Sequence, residues 1–88
     1  MGEVDIVAKD EDTLVFIEVK TRRSNTYGPP QLAVNTSKQI QLSKVALNFL
    51  KEKGLEEIKA RFDVVAVELN PSGKRIELIK DAFELKYF

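Results

Sequence analysis

Hydrophobic and polar positions alternate in twos near the start of the chain, in "EVDIVA" at residues 3–8 and "TLVFIEVK" at 13–20, on either side of the polar "KDED" of 9–12. Two β-branched runs with this period around a turn predict a hairpin. Over residues 37–53 the spacing becomes helical, with Asn35 or Thr36 placed as N-cap and Gly54 as the C′ residue that ends the helix. "RFDVVAVEL" at 61–69 predicts a third strand, and "NPSG" turns it into a fourth, "KRIELIK" at 74–80. The order is β-β-α-β-β, an α/β class. A helix crossing between two strands makes the second and third strands parallel, and the hairpins add antiparallel strands on either side, giving a mixed sheet. The stretch 21–36, with Gly28, Pro29 and Pro30 at its centre, reads as a loop. No repeat, low-complexity tract or linker divides the chain, so residues 1–88 are read as a single domain.

The helical segment carries more apolar surface than one sheet face covers. At 100° per residue, Leu42, Val45, Ala46, Leu47, Phe49 and Leu50 spread over about 200°, wider than the usual stripe of a surface helix. A second layer is expected on it, and a homodimer would provide one. The alternative is that the C-terminal "DAFELKYF" of residues 81–88 folds back and covers the gap with Phe83, Leu85, Tyr87 or Phe88.

Composition narrows the chemistry. The chain has 88 residues, 43% hydrophobic and 32% charged, which suits one small core of modest stability. It contains no cysteine, no long apolar run and no basic-then-apolar leader, so disulfides, a membrane span and a signal peptide are not expected, and a cytoplasmic location is. Histidine is absent as well. That removes histidine bases and histidine-ligated zinc, and leaves carboxylates, lysines and hydroxyls to act, with a hard cation as the expected metal. The net charge is zero but unevenly distributed: residues 1–18 hold six acids and one lysine, whereas 19–55 hold seven basic residues and one acid. A basic middle beside an acidic start is either an anion-binding surface next to a carboxylate site or a set of solvated faces.

Strand alternation turns this into geometry. Phe16, Glu18 and Lys20 point to one face and Val15, Ile17 and Val19 to the other. A two-residue loop at Glu11 and Asp12 pairs Asp10 with Thr13 and brings Asp5 opposite Glu18; a four-residue loop leaves them diagonal on the same face, and only an odd loop or a bulge separates them. Two carboxylates directly opposed repel. Lys20 offers one balancing charge, and a hard cation offers another: two carboxylates with waters hold Mg2+, which acts as a Lewis acid and supplies a nucleophilic water. The plain alternative is a charged sheet edge in which Glu18 and Lys20 form an ordinary pair. Gln39 falls near the middle of the apolar arc, so its amide should point at the sheet, bonded either to a strand or loop carbonyl or to the surroundings of a metal, its water or a phosphate. Lys38, at the border of that arc, reaches for a phosphate or extends into water. Asp63 reads as a strand-start residue bonded to nearby backbone, with no catalytic role.

Five stretches in order, "GEVDIVA" at 2–8, "TLVFIEVKTRRS" at 13–24, "YGPPQLAV" at 27–34, "SKQIQLSKVALNFL" at 37–50 and "RFDVVAVE" at 61–68, resemble the YraN-like family of predicted endonucleases. That family looks like a branch of the PD-(D/E)XK nuclease superfamily, related to archaeal Holliday junction resolvases. The resemblance implies a restriction endonuclease-like fold in which Asp5, Glu18 and the main-chain carbonyl of Val19 bind Mg2+ or Mn2+, Lys20 assists the attacking water, and Gln39 is an accessory residue on the helix. Lys20, Arg22, Arg23 and Lys38 would contact DNA, branched or otherwise structured. Val4 stands where the superfamily's name has proline. Members also carry an additional N-terminal helix, with a glutamate on it, and a first strand, so the resemblance implies that both are missing here. A non-catalytic DNA-binding or subunit-interaction module on the same fold is the alternative, and a scaffold without nucleic acid the third; the last predicts basic residues dispersed over several faces.

Overall fold

The structure is a computed structural model that describes residues 4–23, 34–55 and 57–84. Its elements are β1 (Ile6–Asp10), β2 (Thr13–Arg23), α1 (Thr36–Glu52), β3 (Lys59–Asn70) and β4 (Gly73–Phe83). The strands form one four-stranded sheet in the order β1-β2-β3-β4. β2 and β3 run parallel across the α1 crossover, and both hairpins are antiparallel, so the sheet is mixed as the pattern requires. The central Gly28, Pro29 and Pro30 of the expected loop and the tail residues Leu85, Tyr87 and Phe88 lie outside the described residues.

Local chemistry explains the element ends. Asn35 caps α1, its side chain accepting from the Lys38 N–H at 2.8 Å. At the other end Gly54 sits at φ +65°, its N–H donating to Lys51 O at 3.2 Å while Leu55 N–H donates to Leu50 O at 2.7 Å. That is a Schellman ending, in which a left-handed residue lets two orphan carbonyls find donors. The first hairpin turns on Glu11 and Asp12, with Glu11 at φ +55°, and the second on Pro71 and Ser72, where Asn70 Oδ1 accepts from both Ser72 N–H and Oγ–H.

Phe16, Leu42, Ala46, Leu50, Phe62 and Val64 form the core between α1 and one face of the sheet, joined by Val34 just before the helix cap. Phe62 meets Phe16 at 5.6 Å and stacks on Phe83 at 4.6 Å. Phe83 reaches that place through a bulge: Val64 faces Ile79, but Phe62 faces Phe83 rather than residue 81, and Asp81 adopts φ +52° within the interruption. The end of β4 thus covers part of the core, and the tail takes part to that extent.

Three expectations are corrected. β2 continues to Arg23, because its whole length pairs with β3 from Lys59 to Leu69, so residues 21–23 are strand and not loop. Asp63 is not a strand start; it lies mid-β3, 2% exposed, accepting from the Arg61 guanidinium at 3.0 and 3.2 Å and from Asp81 N–H at 2.9 Å. The surplus apolar surface is on the sheet rather than the helix. Val45, Leu47 and Phe49 are half-buried, whereas Ile6, Val7, Val19, Leu69, Ile76 and Leu78 are exposed, and by strand alternation all but Val7 lie on the face turned away from α1.

Candidate functional site

Pairing in the first hairpin runs from Asp10↔Thr13 to Ile6↔Ile17, and one further step sets Asp5 against Glu18. The ladder stops at Ile6, yet the backbone N–H of Val19 is not left without an acceptor. Asp5 Oδ2 takes it at 2.9 Å, a side-chain oxygen standing where a strand carbonyl would continue the ladder. Asp5 is therefore held by β2 itself. Glu18 follows Phe16 on the face beneath α1 and is 5% exposed, so burial comes from the same alternation that puts Phe16 in the core. Lys20 continues that face and is half-buried.

The register sets the two carboxyl groups side by side, and each bears on the titration of the other. Burial, then the hydrogen bond and charge of Asp5, push the Glu18 carboxyl above its usual range. The bond from Glu18, followed by that from Val19 N–H, holds Asp5 below its usual range. Burial and the neighbouring carboxylate thus disfavour charge on Glu18, and the two groups titrate as a coupled pair. Lys38 reaches over from the first turn of α1, with Nζ 3.4 Å from Glu18 Oε2. Lys38 and Lys20 both favour the charged form of Asp5, Lys38 more strongly.

This donor set suits a small hard cation. Among the described residues no group of three or more Asp, Glu, His or Cys side chains gathers at one point, so an ion here would use two carboxylates, a main-chain oxygen and water. Mg2+ is commonly held by one or two carboxylates with its remaining positions hydrated. Gln39 is half-buried in the first turn, and its Nε2 donates to Val34 O at 3.0 Å, the loop-carbonyl bond of the two roles open to it.

The basic residues divide. Arg22 shares the face of Glu18 and Lys20, and its guanidinium lies 3.7 Å from Glu68 Oε2. Arg23, one position on and beside Leu69, lies on the opposite face and is exposed. On that face Arg61 joins Asp63 and Asp10, each at 3.0 Å, beside a shallow groove bordered by Val15, Ile17, Leu78 and Lys80. Sequence reasoning missed this cluster and the Lys38–Glu18 pair. Strand alternation together with the register of three strands puts Asp10, Arg61 and Asp63 on a common face, and no spacing rule reveals which strand α1 lays its first turn upon.

A four-stranded mixed sheet, one crossover helix and a carboxylate pair at the open end of the first hairpin define the class: an α/β protein with an acidic site between sheet and helix. Residues 1–67 match the uncharacterised protein family UPF0102. A UPF0102 protein of Syntrophus aciditrophicus is 63% identical over 86 residues, which cover 98% of this chain and 68% of the relative. One of Geobacter sulfurreducens is 60% identical over 87 residues, with the same two coverages, and one of Desulfosudis oleivorans is 45% identical over 84 residues, covering 96% and 67%. The chain belongs to UPF0102, the YraN-like family. No helix among the described residues is long and apolar enough to cross a membrane.

Proposed function

We propose that this protein is a metal-dependent endonuclease of the PD-(D/E)XK superfamily that hydrolyses phosphodiester bonds in DNA, branched or otherwise structured, in the cytoplasm. The observation that carries this is the convergence of Asp5 and Glu18 across the hairpin, with Lys20 two residues further on the same face. Asp5, Glu18 and the Val19 carbonyl would hold Mg2+ or Mn2+. The ion, when bound, supplies Lewis acidity toward a phosphate oxygen and lowers the pKa of a water. Asp5 is held in place by the Val19 N–H, which donates to its Oδ2. Lys20, the ammonium next along the strand, would orient a water or balance charge on a phosphate.

The observation that favours the alternative, a DNA-binding or subunit-interaction module without catalysis, is that Lys38 already balances Glu18 at 3.4 Å. A charge-balanced pair has a structural use without metal.

The test is cleavage of duplex, single-stranded and four-way-junction DNA in Mn2+ by this chain and by a full-length relative, each beside its Asp5→Asn and Lys20→Ala equivalents. Metal-dependent cleavage lost in both variants is expected. Cleavage unaffected by Asp5→Asn rejects the assigned site, and DNA binding with neither metal binding nor cleavage by either protein selects the alternative.

A further inference from the structure

Lys38 is in the wrong place for a helix. It occupies the third position of α1, where its own N–H is fixed by Asn35 Oδ1 at 2.8 Å, and the first turn contains no acidic residue. A cation there opposes the partial positive charge of the helix start. Its location is explained by what it faces. The Lys38 Nζ is 3.4 Å from Glu18 Oε2, and the Glu18 side chain is only 6% exposed while that of Lys38 is 32% exposed. A buried carboxylate needs a partner, and the stem of a lysine crosses apolar surface to deliver one while its charge keeps contact with water.

We propose that Lys38 is the resident counter-cation of the Asp5–Glu18 pair and competes with a divalent metal ion for the Glu18 carboxylate. The proposal rests on the metal-site assignment above and adds to it a role for a residue outside the D…ExK pattern. A cation bound at Glu18 Oε2 repels and displaces the ammonium that faces that oxygen, so Lys38 withdraws as the ion binds there. Its flexible four-carbon stem and partial exposure permit this without moving the backbone that Asn35 fixes. Among the described residues, the ion pair at Glu18 is made by Lys38. Asp5 from the hairpin edge, Glu18 and Lys20 from β2, and Lys38 from α1 are the charges that meet here.

Mn2+ titration of the full 88-residue chain by calorimetry at pH 7 tests the competition. Lys38→Met keeps the length and apolar stem of the side chain and removes the charge; Lys38→Arg keeps the charge. Mn2+ should bind Lys38→Met about three- to tenfold more tightly than wild type, the weight of one partly exposed charge at close range, and Lys38→Arg with wild-type affinity. Equal or weaker binding by Lys38→Met overturns the proposal. Absence of Mn2+ binding by all three proteins overturns the competition and the metal assignment together. A double-mutant cycle of Lys38→Met and Glu18→Gln, read by urea unfolding without metal, separates the two failures. A coupling clearly above zero shows that Lys38 serves Glu18 whether or not metal binds, and a coupling of zero rejects the counter-cation itself.

Discussion

Glu18→Gln separates two properties that the acidic pair gives this fold. In the metal-free protein Glu18 holds its proton more firmly than in the unfolded chain, because burial and the neighbouring Asp5 both disfavour its charge. From the unfolded value of 4.5 upward to its raised native value, the folded chain binds more protons than the unfolded one, so stability falls as pH rises. Asp5 has the opposite sign. Its carboxyl is held below the unfolded value of 3.8, so its contribution is present above that value and is lost as pH falls toward its lowered native value. For this pair the wild type is therefore most stable between the two unfolded values and loses stability on the alkaline side. Glutamine fits the same space and puts no charge beside Asp5. The substitution should abolish the alkaline loss that Glu18 contributes.

Metal gives a second comparison. An ion present at ten times its Kd and bound only by the folded state adds about 1.4 kcal/mol. For a chain of 88 residues, each kcal/mol raises Tm by about 4–8 °C, so Mn2+ should raise the wild-type Tm by about 6–11 °C at that excess. Glu18→Gln leaves one of the two carboxylates, and the shift should shrink to near zero. Melting curves by circular dichroism at pH 4.5 and 7, with and without Mn2+, give both readouts. An equal Mn2+ shift in wild type and variant, or an equal change in stability between these pH values in the two proteins, refutes the reasoning.

Three other outcomes are expected. Gly54→Ala should cost about 1 kcal/mol, since Gly54 has φ +65° and a methyl group would meet no atom within 4 Å; the cost is of backbone conformation alone, and an unchanged urea midpoint would remove the Schellman ending. If Lys20, Arg22 and Lys38 contact one DNA phosphate each, log K should fall with log salt at a slope near −2.7; Arg23→Ala should leave that slope unchanged, whereas a slope near zero rejects the nucleic-acid face. Ile76 and Leu78 are 63% and 50% exposed on the uncovered sheet face, so sedimentation equilibrium should show a homodimer that Ile76→Glu dissociates; a mass near 10.0 kDa at high micromolar concentration rejects it.

What was legible in the sequence is what depends on local chemistry. Gly54 ended the helix, Asn35 began it, and "NPSG" turned the second hairpin, each through bonds among residues a few positions apart. The misplaced boundaries all depend on another strand. "TRR" at 21–23 looks like the start of a loop, yet β3 supplies a parallel partner through Leu69 and draws it into the sheet. Asp63 looks like a strand start because "RFDVV" turns apolar there, whereas β3 begins at Lys59 opposite Thr13 and buries Asp63 against Arg61. The bulge that brings Phe83 onto Phe62 has no glycine to announce it; Asp81 takes the left-handed conformation instead.

The acidic pair was legible although its members are distant in sequence, because parity carries further than distance. In an antiparallel hairpin a single loop length fixes which residues share a face along the whole ladder, and a change of one residue reverses every assignment. Nothing at Asp5 or Glu18 had to be known beyond the two-residue turn at Glu11 and Asp12, and that turn is found even though it places Glu11 at φ +55°. A glutamate accepts that conformation less readily than glycine or asparagine would, so the turn length is being held by the ladder on either side rather than by the turn's own residues. No such rule reaches Lys38. The helical period places it at the margin of an apolar arc, and whether that margin lies over Glu18 or over open water depends on how α1 crosses the sheet, which packing of Leu42, Ala46 and Leu50 on Phe16, Phe62 and Val64 decides. The residues whose spacing follows from the strand period are therefore the ones a motif captures, and the cation that completes the site comes from an element whose register with the strands is set only by the core.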